Sequence, residues 1–227
     1  MVGIAGVRDS VERWLTTDLA RLGRSDRRRT IVIAAAVLVV VTGLSMLNFF
    51  VRGPHHDQYD LRIYYSAVTF WLDGNNLYDY SQPDPVNVSL GFTYPPIAAI
   101  LMAPMALLPL GGVLALHFVA LIACSMLMVW LFLRQYWTVR PVQMFFLTGI
   151  VCALLFFLQP LAQNIGFGQV NILLATLVVV DILVLGGRGS RWFGVGIGLA
   201  MALKLTPGIF LLLLVLGAIR GRRSIRR

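Results

Sequence analysis

The chain has 227 residues, 58% of them hydrophobic and only 13% charged, with a net charge of +9. That balance excludes a soluble globular domain and points to an all-α polytopic membrane protein. A nucleic-acid surface is set aside too, because 16 of the 19 Lys and Arg residues fall in segments that one side of a bilayer can hold, as the positive-inside rule requires.

Residues 1–24 place Ile4, Val7, Val11, Trp14, Leu15 and Leu22 at helical spacing among arginines. This reads as an amphipathic helix on the headgroups, within a basic cytoplasmic tail of residues 1–30. Residues 31–51 are an uncharged apolar run, about 31 Å as a helix and so matched to a hydrocarbon core of about 30 Å. The run is longer than a signal-peptide core and no small-residue cleavage site follows it, so a retained anchor is expected. From residue 31 to residue 227 the chain reads as one transmembrane domain, with further spans at 113–133, 142–161 and 170–185.

Residues 52–93 form an outer loop carrying five of the ten acidic residues: Asp57, Asp60, Asp73, Asp79 and Asp84. Within it Leu61, Tyr64, Tyr65, Val68, Trp71 and Leu72 recur at helical spacing, which predicts a short helix along the interface that stops at Asp73-Gly74. Residues 77–91, with Pro83 and Pro85, read as irregular loop, and Asn87-Val88-Ser89 is a weak match to a glycosylation acceptor triplet. Residues 97–108 are too short to span and read as a half-helix. Residues 193–219 are broken at Lys204-Leu205-Thr206-Pro207-Gly208, since proline removes a backbone donor and disfavours helix before it. A break at membrane depth is tolerated where it lines a cavity or is buried in protein, which makes Lys204 a functional candidate.

Residue type leaves two roles open for Asp60: capping the helix that follows it, or acting as a base. Asp57 three residues earlier reads as a loop carboxylate. The outer-side cations are Arg52, Arg62 and Lys204; snorkelling accounts for Arg52. His55-His56 lack companion ligands, so no metal site is expected. Asp181 reads as a structural partner of Arg188 or a neighbouring helix, and Cys124 and Cys152 as thiols buried in spans.

The ordered set Asp60-Leu61-Arg62-Ile63-Tyr64, Gly74-Asn75-Asn76-Leu77-Tyr78, Phe92-Thr93-Tyr94-Pro95-Pro96, Gly168-Gln169-Val170-Asn171 and Gly198 to Pro207 resembles the polyprenol-phosphate-mannose-dependent α-1,2-mannosyltransferases of actinobacterial envelopes, a GT-C superfamily. The resemblance implies a GT-C-type bundle with a periplasmic first loop and Asp60 as catalytic base. It further implies a polyprenyl-phosphate mannose donor and a glycolipid acceptor (phosphatidylinositol mannoside, lipomannan or lipoarabinomannan), with inversion at the anomeric carbon. No cofactor is implied.

Such chemistry needs a base for the acceptor hydroxyl and cations for the leaving phosphate. Lys204 and Arg62 suit the phosphate, Tyr64, Trp71 and Tyr94 suit sugar faces or, equally, anchoring at the membrane interface, and Asp57, Gln169 and Asn171 complete the expected substrate-binding set. Members of that family are about twice as long, so the chain resembles an N-terminal half: a fragment, a split gene product that a second polypeptide completes, or a truncated reading frame. Two other readings are a non-catalytic membrane fragment or partner subunit, and half of a lipid or sugar transporter.

Overall fold

The structure is a computed structural model that describes residues 24–52, 57–84, 88–138 and 141–225. Expectations for residues 1–23, for His55 and His56, for Asn87 and for the Arg52 side chain lie outside the described residues. Two compact units are present: Met1–Pro54 with Ser125–Gln163, and His55–Cys124 with Asn164–Arg227.

The first unit is built on α1 (Arg24–Arg52), a helix with no proline to interrupt it. It packs against α5 (Pro141–Leu155). The fully buried Ser45 hydroxyl reaches the Val41 carbonyl at 2.8 Å and the Ala153 carbonyl of α5 at 2.7 Å. The second contact ties two apolar helices by a hydrogen bond where hydrophobic burial gives little drive in lipid. The run at 142–161 was expected to cross without interruption, and it does not. After α5 the chain turns at 156–158 and restarts as α6 (Gln159–Phe167), bent by 79°. Pro160 explains the restart: it lacks an N–H and disfavours helix at Gln159, so it fits the first turn of a new helix rather than the middle of an old one.

The second unit holds α2 (Tyr59–Leu72), α3 (Pro96–Met102, continued as a 3-10 turn to Leu107) and α7 (Asn171–Val180, continued as a π-helical turn Asp181–Gly186). It also holds α8 (Val195–Leu203) and α9 (Gly208–Ile225), with the break expected at Lys204–Pro207 between them. Residues 77–91 are not all irregular. Gln82–Asp84 (β1) and Val88–Leu90 (β2) pair antiparallel, Pro83 opposite Ser89. Proline is tolerated here because a two-stranded ribbon consists of edges.

The core of this unit takes Leu61, Tyr64 and Val68 from α2, Ala98 and Met102 from α3, Leu174 and Val178 from α7, and Ile197 and Ala200 from α8. Ala67, Ala98, Ala99 and Ala200 have no exposed surface, and small side chains of this kind let helix backbones approach closely. Helix α4 (Leu110–Tyr136) contributes to both units. By length and composition α1 and α4 are able to cross a membrane, and a bent pair raises the number to three among the described residues. Their outward apolar side chains, such as Val39 and Leu116, suit lipid rather than water. The chain is a helical membrane protein.

Candidate active site

The second unit brings four polar side chains into one row. Gln169 Nε2 donates to Asp60 Oδ2 at 3.0 Å, Asn171 Nδ2 donates to Gln169 Oε1 at 2.7 Å, and Lys204 Nζ donates to Asn171 Oδ1 at 2.9 Å. Each amide points its N–H toward the carboxylate end and its oxygen toward the ammonium end, so every contact joins donor to acceptor. All four side chains are half-buried. Residues 60, 169, 171 and 204 thus meet although they come from three separate stretches of chain.

Two backbone devices hold Asp60 in place. Asp57 and Gln58 both adopt left-handed conformations, with φ of 49° and 52°, at a cost of roughly 1–2 kcal/mol for each residue. The surroundings enforce them: Gln58 N–H donates to Gly166 O at 2.9 Å, and Arg62 Nε donates to Asp57 O at 2.6 Å. The second device is Gly168. Its φ is +70°, and a Cβ there would lie 2.8 Å from Gln58 Cβ and 2.9 Å from Leu61 Cβ. Only glycine meets both conditions. The loop that carries Gln169 therefore seats directly on the turn that carries Asp60.

These contacts change several expected roles. The residue at the cap position of α2 is Gln58, and Asp60 lies inside the first turn instead of at its boundary. The left-handed pair at 57–58 starts the helix at Tyr59, two residues before the Leu61 at which periodicity started it. The charge still favours the positive end of the helix dipole. Arg62 braces the strained turn through a backbone carbonyl, and the Asp57 side chain is exposed.

Tyr64 and Tyr94 are buried, with hydroxyl oxygens 2.8 Å apart and ring centroids 5.0 Å apart. Phe92 packs on both rings edge-on, and Tyr78 donates to the Tyr94 carbonyl. Burial, then the Tyr94 neighbour and the Asp60 charge, push the Tyr64 phenol well above its ordinary range. Lys204 Nζ lies 5.5 Å from the centre of the Tyr94 ring, so the aromatic cluster serves as a cation–π wall behind the ammonium. Trp71 packs against the same core from partial burial.

Sequence reasoning missed other supports. Tyr59 donates from its hydroxyl to Pro83 O at 2.7 Å, pinning the hairpin to the start of α2. Asn164 Nδ2 approaches Gln169 Oε1 at 3.4 Å. Of the two structural partners expected for Asp181, Arg188 or a neighbouring helix, the structure shows the helix. Asp181 is fully buried, and its carboxylate accepts from the backbone N–H of Gly194 at 2.8 Å and of Ile197 at 2.9 Å. It caps α8 from a distance of 13 to 16 residues in sequence, the half-helix that ends at Lys204. Gly194 supplies the required φ of +98°. At Gly196 a Cβ would lie 2.7 Å from Leu177 O, so α8 and α7 meet at glycine distance.

A carboxylate and an ammonium, held apart by two amides at the edge of an apolar core, can act on different atoms of one substrate. The first can take a proton from a hydroxyl and the second can stabilise a leaving anion.

The model of glycosyltransferase family 87 matches residues 92–226. The chain is 37% identical over 191 residues to a polyprenol-phosphate-mannose-dependent α-(1-2)-phosphatidylinositol mannoside mannosyltransferase of Mycobacterium tuberculosis, covering 78% of this chain and 43% of that one. It is 33% identical over 195 residues to the protein of the same description from Mycolicibacterium smegmatis, covering 79% and 43%. A phosphatidylinositol pentamannoside mannosyltransferase of the latter organism is 34% identical over 182 residues, covering 77% and 42%. The chain thus spans less than half the length of these relatives. No solved structure matches it.

Proposed function

The chain belongs to glycosyltransferase family 87, and from that premise we propose that it transfers mannose from a polyprenyl-phosphate mannose to a phosphatidylinositol-mannoside-type glycolipid, inverting the anomeric carbon. The row from Asp60 through Gln169 and Asn171 to Lys204 is the observation that carries this reading. Asp60 takes the proton of the acceptor hydroxyl as that oxygen bonds to the anomeric carbon. The bond from that carbon to the phosphate oxygen breaks, its electron pair leaves with the phosphate, and Lys204 stabilises the charge that develops. Gln169 and Asn171 fix where the two ends stand. The buried tyrosines keep Lys204 oriented instead of lending open faces to sugars.

The charge asymmetry supports a cytoplasmic N-terminus and a reaction on the periplasmic face. A lipid-borne donor accounts for a site built wholly from membrane helices and their loops. The portion of its relatives that this chain does not span is where further acceptor contacts, or a second polypeptide that supplies them, belong in this reading.

The test uses membranes holding the protein, radiolabelled polyprenyl-phosphate mannose and a phosphatidylinositol mannoside acceptor. Wild type should transfer label, and Asp60→Asn should slow transfer by about 10²–10⁴-fold, the usual contribution of a general base. Equal transfer by both removes Asp60 from the role.

A further inference from the structure

Beside the polar row lies a cavity of about 410 Å³, walled by leucines and other apolar side chains from α2, α3, α4, α7 and α8. Three wall residues are chain neighbours of the row: Leu61 follows Asp60, Val170 lies between Gln169 and Asn171, and Leu203 precedes Lys204. One polar side chain interrupts the apolar wall. His117 is 7% exposed and lies against the Gln169 backbone, yet neither ring nitrogen completes a hydrogen bond among the described residues. A buried imidazole with only the Gln169 backbone beside it carries the desolvation cost of its polar atoms with little return. A ligand oxygen would remove that cost.

We propose that this cavity takes the first isoprenoid units of the lipid-phosphate donor, and that His117 N–H donates to an oxygen of its phosphate ester. The proposal rests on the mannosyl-transfer reading of the polar row. Connectivity selects the occupant. In a polyprenyl-phosphate sugar a single phosphate separates the reacting carbon from the hydrocarbon, so an apolar pocket must begin where the phosphate site ends. In a phosphatidylinositol mannoside the acyl chains stand off from the reacting hydroxyl by sugars, inositol, phosphate and glycerol. Their hydrocarbon has no reason to lie one residue away from Asp60 and Lys204. The volume falls in the range of about 300–1,000 Å³ common to small-molecule sites, and suits the units next to the phosphate rather than a whole polyprenyl chain. His117 is then a positioning residue that sets where the phosphate stops.

Photolabelling of the full chain in phospholipid nanodiscs tests this. The probe is a polyprenyl phosphate carrying a diazirine on the isoprene unit next to the phosphate. Adducts are expected on peptides holding Val113, Leu173 or Leu177, and excess unlabelled polyprenyl phosphate should compete them away. His117→Phe should weaken labelling about tenfold, as expected on losing one hydrogen bond to a charged group, while His117→Gln, which keeps a donor, should retain most of it.

Adducts confined to other helices overturn the proposal. So does equal competition by phosphatidylinositol mannoside, which would make the cavity an acceptor site, or by bulk phospholipid, which would make it a general lipid crevice. Equal labelling of the wild type and His117→Phe removes the hydrogen bond to the phosphate. Labelling needs no turnover, so cavity adducts without mannosyl transfer keep this inference and remove the proposed function. Transfer without cavity adducts does the reverse.

Discussion

Asp60 and Asp181 are carboxylates of the same unit, drawn out of water in two different ways. Asp181 has no exposed surface, and its oxygens accept backbone N–H groups of Gly194 and Ile197. Asp60 is half-buried and is joined through side chains to a row that ends on an ammonium. Backbone donors cannot move away without unwinding a helix, so Asp181 is committed to structure. A side-chain donor such as the Gln169 amide can turn aside for a substrate, as a backbone donor in a helix cannot.

Substitution at the two positions should therefore give opposite profiles, and this is the largest effect expected. Asp60→Asn should lose transfer by about 10²–10⁴-fold while unfolding near the wild-type temperature. Asp181→Ala strands the N–H groups at the start of α8, at about 1–3 kcal/mol for each buried donor. Thermal unfolding in nanodiscs should show that loss, with transfer falling only in proportion to the folded fraction. A large unfolding shift in Asp60→Asn, or a stable but inactive Asp181→Ala, would erase the distinction.

Gly168→Ala probes the seat beneath Asp60. It combines a left-handed φ with a contact inside van der Waals distance, so a loss of about 2–3 kcal/mol is expected in unfolding experiments. The residual folded protein should transfer mannose poorly, because the Gln169 loop no longer fits the turn at Asp57–Gln58. Unchanged activity per folded molecule would mean that the seat does not position the base.

The smallest effect concerns the wall behind Lys204. Tyr64→Phe removes one hydroxyl contact to Tyr94, worth about 0.5–1.5 kcal/mol. The folded-state pKa of Tyr64 lies above its ordinary 10.0. The neutral phenol is thus equally present in folded and unfolded chains at low pH, but the unfolded chain ionises first as pH rises past that value. Wild-type stability should fall above pH 10.0 relative to Tyr64→Phe, and be insensitive to this group below it. Parallel alkaline profiles for the two proteins would show that the burial is not felt.

Much of the candidate row was legible because the signals were local. Pro207 announces the break that exposes Lys204, and Gly168 to Asn171 stand out as polar residues between apolar runs. The start of the interfacial helix was nearly legible, and it failed at Asp60 because nothing in the residues of 57–58 demands two left-handed conformations in succession. Strands of three residues lie below any periodic signal, so β1 and β2 were invisible. Pro160 was visible but hidden within a run apolar enough to pass as one span. Asp181 caps a helix that begins more than a turn of loop later, a pairing made only by tertiary structure. His117 carried no signal at all, since one histidine in an apolar helix looks the same with or without a cavity before it.

One consequence of the amide pair remains. Had Asp60 and Lys204 touched, each would have neutralised the other, and the site would meet a substrate with no field to offer. Gln169 and Asn171 insulate the two poles while keeping them aligned, each amide dipole running in the same sense. A reaction that draws a proton at one point and sheds an anion at another needs such a standing polarity, present before the substrate arrives and restored once the proton and the lipid phosphate have left.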